Sequence, residues 1–341
     1  MRIPLGSRDI PLCATAIVLL GIYLFGAVAY PNFASWAVLR NLLVDNAFLG
    51  VAAIGATLVI LSGGIDLSVG SLMAFTSILI AALIEEHDIH PVPAMFIALA
   101  AGLAFGTAQG WLIRAFRLPP FLITLAGLFF ARGAAFIVHP QSIGISHPFV
   151  SETLNETLSL HIPLGPRGIV IPLTVFILIA SFAAAWFVLR QMRFGRAIYA
   201  IGDDEQAAML MGLPVGRTTV LVYSAAGLLS ALAGVVFTLY QQSGDPAACK
   251  GLELDAIAAV IIGGTLLQGG VGSIIGTLLG VLILGLIQTL ITFQGDLSSW
   301  WTRIAVGGLV LAFLILHRVI ESIAGGSLRR LRERADADGT C

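Results

Sequence analysis

Charge is scarce in this chain. Of its 341 residues only 11% are Asp, Glu, Lys or Arg, against roughly a quarter in an ordinary soluble domain. So few charges cannot cover a water-soluble fold of this length, and soluble enzyme folds are excluded. Lysine is nearly absent: among the 18 basic residues there is one, Lys250, and the rest are Arg. Lys250 is followed by Gly251 and no GxxxxGK[ST] occurs, so the chain cannot itself cradle and hydrolyse ATP. A net charge of -1 offers no electrostatic footprint for nucleic acid. Cys13, Cys249 and Cys341 are scattered, with no CxxC pair, so neither a zinc site nor a disulfide is indicated; buried or idle thiols are the simpler reading. HExxH and GxSxG are missing too, as is an inward His–carboxylate cluster, which leaves a membrane-embedded enzyme without a catalytic constellation.

What the chain does have is apolar length. Apolar residues make up 58% of it, and 38 glycines accompany them, as in helices that pack inside a bilayer. At about 20 residues per span, the apolar runs predict an all-α polytopic membrane protein of about ten transmembrane helices. They fall near 11–30, 46–62, 66–84, 92–113, 120–138, 169–189, 218–240, 253–267, 272–292 and 299–317. The first follows Arg2 and Arg8 and ends in Ala27-Val28-Ala29, but it is too long for a signal peptide's core and reads as an uncleaved span. Arginine cluster in the segments on the same side as residue 1: Arg2 and Arg8, Arg114 and Arg117, Arg190 to Arg217, and Arg318 to Arg334. The opposite loops hold only Arg40, Arg167 and Lys250, with Glu85, Glu86, Asp88, Glu152 and Glu156. The positive-inside rule therefore puts both termini in the cytoplasm. The organisation is a cytoplasmic N-terminus (1–10), a transmembrane domain (11–317) and a basic cytoplasmic tail (318–341).

Two loops are hydrophilic. Residues 139–168, outside, contain His139, His147 and His161 without metal-ligand spacing and read as solvated loop. Residues 190–217, inside, allow a short helix from Glu205 to Met211, started by Asp203 or Asp204 and stopped at Gly212-Leu213-Pro214. Such a helix spans nothing; it either meets a partner or is a surface element.

Within the spans, Gly102, Gly106 and Gly110, and again Gly272, Gly276 and Gly280, recur every fourth residue, the pattern of close helix packing. Gly63-Gly64 breaks a helix ahead of Asp66 and Ser68, either of which can cap the next one. Gln268-Gly269-Gly270-Val271-Gly272-Ser273 repeats the theme. Ile54-Gly55-Ala56-Thr57-Leu58 and Ile262-Gly263-Gly264-Thr265-Leu266 precede the two breaks. This echo suits a transporter of two related halves, although broken helices also serve as simple reversals. Asp45, Glu253 and Asp255 sit where spans start and read as caps. Arg132 and Arg303 lie within spans, where each either pairs with an acid or lines a polar path. Trp300 and Trp301 read as interfacial anchors, though in a sugar pathway such rings also stack on a pyranose face.

SGGIDLSVGS at 62–71, PPFLITLAGLFFARG at 119–133 and ELDAIAAVIIGGTLLQGGVGSIIGTLLGVLILGLIQ at 253–288 resemble the ribose-type sugar permeases of bacterial ABC importers. RFGRAIYAIGDDEQAAMLMGL at 193–213 is similar to the family's loop that docks on the ATPase subunit. Residues 45–64 and 291–305 most resemble the galactofuranose-type permeases. The resemblance implies a multi-pass protein of the bacterial inner membrane. Its implied partners are an ABC ATPase that holds ATP and Mg2+, a periplasmic sugar-binding protein and a second permease chain, as homodimer or heterodimer. It implies no cofactor in this chain. Coupling to the ATPase then falls on Arg196, Asp203, Glu205, Ala208, Met211 and Gly212. Motif position and intramembrane polarity together suggest a pathway near Asn46, Asp66, Ser68, Thr124 and Gln288. The competing class is an ion-coupled secondary sugar transporter, which needs a buried acid; Asp66 is the candidate, and its place near a helix start speaks against it.

Overall fold

A computed structural model describes residues 10–151, 160–162, 169–295 and 300–315. The N-terminal residues 1–9, the tail from 316, and Glu152, Glu156 and Arg167 of the 139–168 loop lie outside the described residues. The chain forms helices α1 (Ile10–Ala29), α2 (Trp36–Asp45), α3 (Ala47–Leu61), α4 (Val69–Glu85), α5 (Pro91–Phe116), α6 (Pro120–Val138), α7 (Leu173–Gln191), α8 (Arg193–Asp203), α9 (Glu205–Leu210), α10 (Val215–Gln241), α11 (Leu252–Ile262) and α12 (Ile274–Gln294). A last helix, α13, covers Trp300–Ile315. Strands are vestigial. β1 (Ile143–Gly144) pairs antiparallel with β4 (Ser243–Gly244), and β2 (Leu160–Ile162) with β3 (Ile169–Ile171).

The helix boundaries follow local chemistry. Proline opens α5 at Pro91 and α6 at Pro120, where its missing N–H costs nothing. Between them Arg117 takes a left-handed conformation, φ 52°, that ends α5. Ser35 accepts the Val38 N–H at the start of α2, and Ser273 that of Ile275 at the start of α12.

By length and composition, six helices among the described residues can each cross a membrane: α1, α5, α6, α7, α10 and α12. The bent pair α2–α3, broken by 51°, makes a seventh. The stretch expected to span from 46 is thus the second part of a kinked helix that begins at Trp36. Asp45 closes α2 rather than opening a span, and its carboxylate accepts the Tyr240 hydroxyl at 3.1 Å. The run 253–267 is also shorter than expected. Its helix ends at Ile262 because Gly263-Gly264 interrupt it, and eleven residues reach only about 16 Å at 1.5 Å each.

Helix α3 is the axis of the bundle. Every residue of it but Phe48 is buried, and it packs against α7, α10, α11 and α12. The most extensive pairing is α5 with α10. Here the four-residue glycine spacing acts: a Cβ on Gly102 would strike Ala231, one on Gly106 the Tyr223 carbonyl, and one on Gly110 the Val220 Cα. On α12, Gly276 faces the backbone of Gly263, just past α11, and Gly280 that of Ala259 in α11, while Gly272, ahead of α12, faces Thr265. The outer surfaces of α1 and α6 carry exposed Phe25, Phe129, Phe130 and Ile137, as helices facing lipid do. Gly106→Val should overpack the α5–α10 seam at a cost of about 1–3 kcal/mol and lower the melting temperature of the detergent-solubilised protein by several degrees. Gly133→Ala, in open space, should leave it unchanged, and equal melting of all three proteins would contradict the seam.

Candidate functional site

Two broken helices and one amphipathic helix meet at a single junction. The α3 helix ends at Leu61, Gly63 turns the chain with φ +82°, and residues 62–68 run without helix to α4. After α11, Gly264, Gly269 and Gly270 turn with φ of +89°, +91° and +71°, conformations that side chains rarely adopt. The two breaks touch. Gly270 donates its N–H to the Leu61 carbonyl at 3.0 Å, and a Cβ on Gly269 would meet the Gly63 nitrogen. Gly202, at the end of α8, fills the remaining space, where any Cβ would collide with the Leu61 carbonyl and the Gly270 nitrogen. The Tyr199 hydroxyl donates to the Gly272 carbonyl at 3.1 Å. Carbonyls released by the breaks thus find donors inside the protein, as irregular backbone among apolar helices requires.

From this junction α8 and α9 project. On α8, Gly195, Ala197, Ile198 and Ile201 are buried while Arg193 and Arg196 are exposed; Arg196 donates to the Gln191 carbonyl at 3.4 Å. Asp203 closes α8, exposed, with its backbone against Gly270. Asp204 is the cap of α9, its carboxylate accepting the N–H groups of Gln206 at 2.8 Å and Ala207 at 2.9 Å. Glu205 opens α9 and pairs with Arg114 of α5 at 3.1 Å. Ala208 is fully buried beside Ile201 and Val215. The opposite face presents Met209, Leu210 and Met211 to solvent before Gly212 turns the chain at φ +78°. Between α5, α9, α10 and the 62–64 break lies a cavity of about 600 Å3 whose lining includes Arg114, Arg117, Gln206 and Tyr223.

The five expected pathway residues separate into two groups. Asp66, Ser68 and Thr124 form a buried knot. Asp66 accepts the Ser68 N–H at 2.8 Å and its hydroxyl at 2.7 Å, Gln109 of α5 donates to the Ser68 hydroxyl at 3.2 Å, and Thr124 of α6 donates to the Ile65 carbonyl at 3.0 Å. Ser68 is the residue before α4, and Asp66 acts on it, not on the helix N-terminus. Asn46 and Gln288 lie together elsewhere, lining a cavity of about 330 Å3 with Asp255, Trp300, Thr302 and Arg303, and a smaller one of about 180 Å3. Arg303 pairs with Asp255 at 2.5 Å and also borders this cavity, so the two roles expected as alternatives coincide.

Arg132 has another task. Residues 243–249 lie along α4, with Gly244 against Ser77, Ile78 and Ala81 and the Cys249 carbonyl against Gly70. Arg132 of α6 donates to the carbonyls of Pro246 at 2.8 Å and Ala248 at 2.6 Å, pinning this non-helical strand. The loop after α6 is fixed near its base, where Ser146 donates through N–H and hydroxyl to Glu85 at 2.7 and 2.9 Å. No group of three or more His, Cys, Asp or Glu among the described residues is placed to hold a metal ion.

Residues 38–314 match the family described as the branched-chain amino acid transport system permease component. The chain belongs to this family of membrane-embedded transport-system permeases. It is a multi-pass protein of the inner membrane. It is 48% identical over 312 residues to the inner membrane ABC transporter permease protein YjfF of Escherichia coli K12, covering 92% of this chain and 93% of that one. It is 38% identical over 300 residues to the ribose import permease RbsC of the same strain, covering 88% and 91%. To the fructose import permease FruG of Bifidobacterium longum it is 33% identical over 329 residues, covering 94% of each. No solved structure matches the chain.

Missed in the sequence were α8, Gln109 and Thr302. The i, i+3, i+4, i+7 spacing of Phe194, Ala197, Ile198 and Ile201 is a legible helix signal; neither polar residue carries one. Arg132→Met should strand two carbonyls at about 1–3 kcal/mol each, lowering the melting temperature of the solubilised protein more than Arg132→Lys does. Equal melting of the three proteins would remove the pin.

Proposed function

We propose that the chain is the transmembrane permease subunit of an ATP-driven importer that carries a monosaccharide, galactofuranose-like or of another ribose type, across the inner membrane. The supporting relatives bear the names of ribose and fructose import permeases. In this reading ten helices surround the pathway, both termini are cytoplasmic, and α9 with α8 faces the cytoplasm. The partners are an ABC ATPase holding ATP and Mg2+, a periplasmic sugar-binding protein, and a second permease chain, expected as a heterodimer from the galactofuranose-type resemblance.

The observation that carries the reading is the α8–α9 unit. Its tip offers Met209, Leu210 and Met211, apolar and exposed, beyond the bundle. Its root is wedged between the breaks that end α3 and α11. Closure of an ATPase against the tip presses on three structures at once: the glycine junction through Gly202, α5 through the Glu205–Arg114 pair, and the wall of the 600 Å3 cavity. Packed interfaces of this kind shift between discrete arrangements instead of deforming smoothly. The pathway opens to the cytoplasm through that cavity and to the periplasm beside Asn46 and Gln288. Asp66 holds the extended segment between them in shape. Its carboxylate is engaged by Ser68, an arrangement that suits a positioning role better than a coupling-ion site.

A tagged chain drawn from membranes in mild detergent should bring with it an ATPase bearing Walker motifs, identified by mass spectrometry. Leu210→Glu should lose that ATPase while the chain still inserts, since it puts a charge in the middle of the exposed apolar tip. A preparation that never contains an ATPase, even after gentle cross-linking, would contradict the proposal. Asp66→Ala should abolish sugar uptake with insertion intact; normal uptake would remove Asp66 from the mechanism.

A further inference from the structure

The Asp255–Arg303 pair sits where a structural ion pair has little reason to be. Helices α11 and α13, which carry it, are apolar, and half of the Arg303 side chain remains exposed. The pair does not face outward alone. It borders the cavity of about 330 Å3 that Asn46 and Gln288 enter from α2–α3 and α12, and Trp300 and Thr302 from the start of α13. Charged groups within apolar helices face a bundle interior or a water-filled cleft, and here five polar side chains from four directions converge on one such cleft.

We infer that this cleft is a sugar-binding subsite of the permease itself, taking one neutral monosaccharide ring, and that it contributes to substrate selection. The inference rests on the importer reading and adds the residues that recognise the cargo. Charge is the first argument. Asp255 and Arg303 neutralise each other, so the cleft favours neither anion nor cation as a whole. Yet each still offers what a hydroxyl needs: a carboxylate that accepts and a guanidinium that donates in a planar fork. Asn46 and Gln288 each carry a donor and an acceptor, and Thr302 both in one group. Adjacent hydroxyls on a ring alternate between donating and accepting, and this set matches them in either role.

The second argument is the apolar surface. Sugar rings have a face of C–H groups as well as an edge of hydroxyls. Trp300 keeps 74% of its surface exposed, so its ring is free to cover such a face. Leu49, Leu284 and Val306 complete the apolar part of the lining. The volume lies at the lower end of small-ligand pockets, which span about 300–1,000 Å3, and suits a single ring. A free amino acid is the other cargo class to consider, given the family's description. Its ammonium and carboxylate would have to break the Asp255–Arg303 pair and leave the amides and Thr302 with little to bind.

The test is equilibrium binding to the full chain in nanodiscs, with tritiated D-ribose, D-fructose and D-galactose as probes and L-leucine as the comparison. At least one sugar should bind saturably, and Trp300→Phe and Asp255→Asn should each weaken it tenfold or more. Trp301→Phe, outside the cavity lining, should bind as the parent does. Where Asp255→Asn aggregates, Gln288→Ala takes its place with the same expected loss. Sugar binding unchanged in these variants would overturn the subsite and leave the importer reading standing. So would an absence of binding by all three sugars while the assembled importer takes one of them up. Saturable L-leucine binding with no sugar binding would overturn both.

Discussion

Everything in this bundle depends on satisfying peptide groups where helices stop inside an apolar environment. An unpaired N–H or carbonyl there costs several kcal/mol, and a chain with two broken helices exposes many. The solution is mutual: the break after α3 and the break after α11 are placed against one another, Gly270 N–H to Leu61 carbonyl, at a separation only glycine permits. Thr15 of α1 adds its hydroxyl to the Ile262 carbonyl at 2.7 Å, closing the end of α11 from the side. Thr57 and Thr277 join α3 to α12 at 2.8 Å. Arg132 performs the same service for the strand beside α4. Among the described residues, side-chain polar groups bond mostly to backbone, and those that do not stand out for that reason.

In the importer proposed above, that economy explains how a push on α9 can matter at depth. Gly202 is rooted in the contact of the two breaks, so α8 cannot move relative to one without disturbing the other. The breaks in turn position the Asp66–Ser68–Gln109 knot. The weak repeat of Ile54–Leu58 and Ile262–Leu266 has no matching placement, since the first lies inside α3 and the second is the break after α11; what the two regions share is that their breaks meet.

Much of this was legible in the sequence. The α6 boundaries agree with the expected 120–138 because Pro119-Pro120 start the helix unambiguously and the polar residues from His139 end it. The α9 helix was legible from its acidic cap and its glycine stop, with Asp204 chosen by the structure from the two aspartates. The kink at Asn46 was legible only as a boundary: the polar pair Asp45-Asn46 marks where the apolar run begins, but nothing in it tells that a helix from Trp36 leads into that run at 51°. The site was legible by residue type only. Asn46 and Gln288 were singled out for intramembrane polarity and share a cleft, while Asp66, Ser68 and Thr124, chosen on similar grounds, form a structural knot. Periodicity cannot reveal that Asp255 and Arg303, 48 residues apart, meet. Such pairings are decided by packing, which one sequence does not display.

The central claim is that α9 and the two breaks move as one body when an ATPase closes. Spin labels at Met211 and Gln268, both exposed, measured by pulsed electron resonance in the assembled complex, test it directly. The Met211–Gln268 distance should stay constant between nucleotide-free and ATP-bound states, while a Met211–Phe116 distance, from the end of α9 to the end of α5, changes. A Met211–Gln268 distance that shifts while Met211–Phe116 stays fixed would contradict the account.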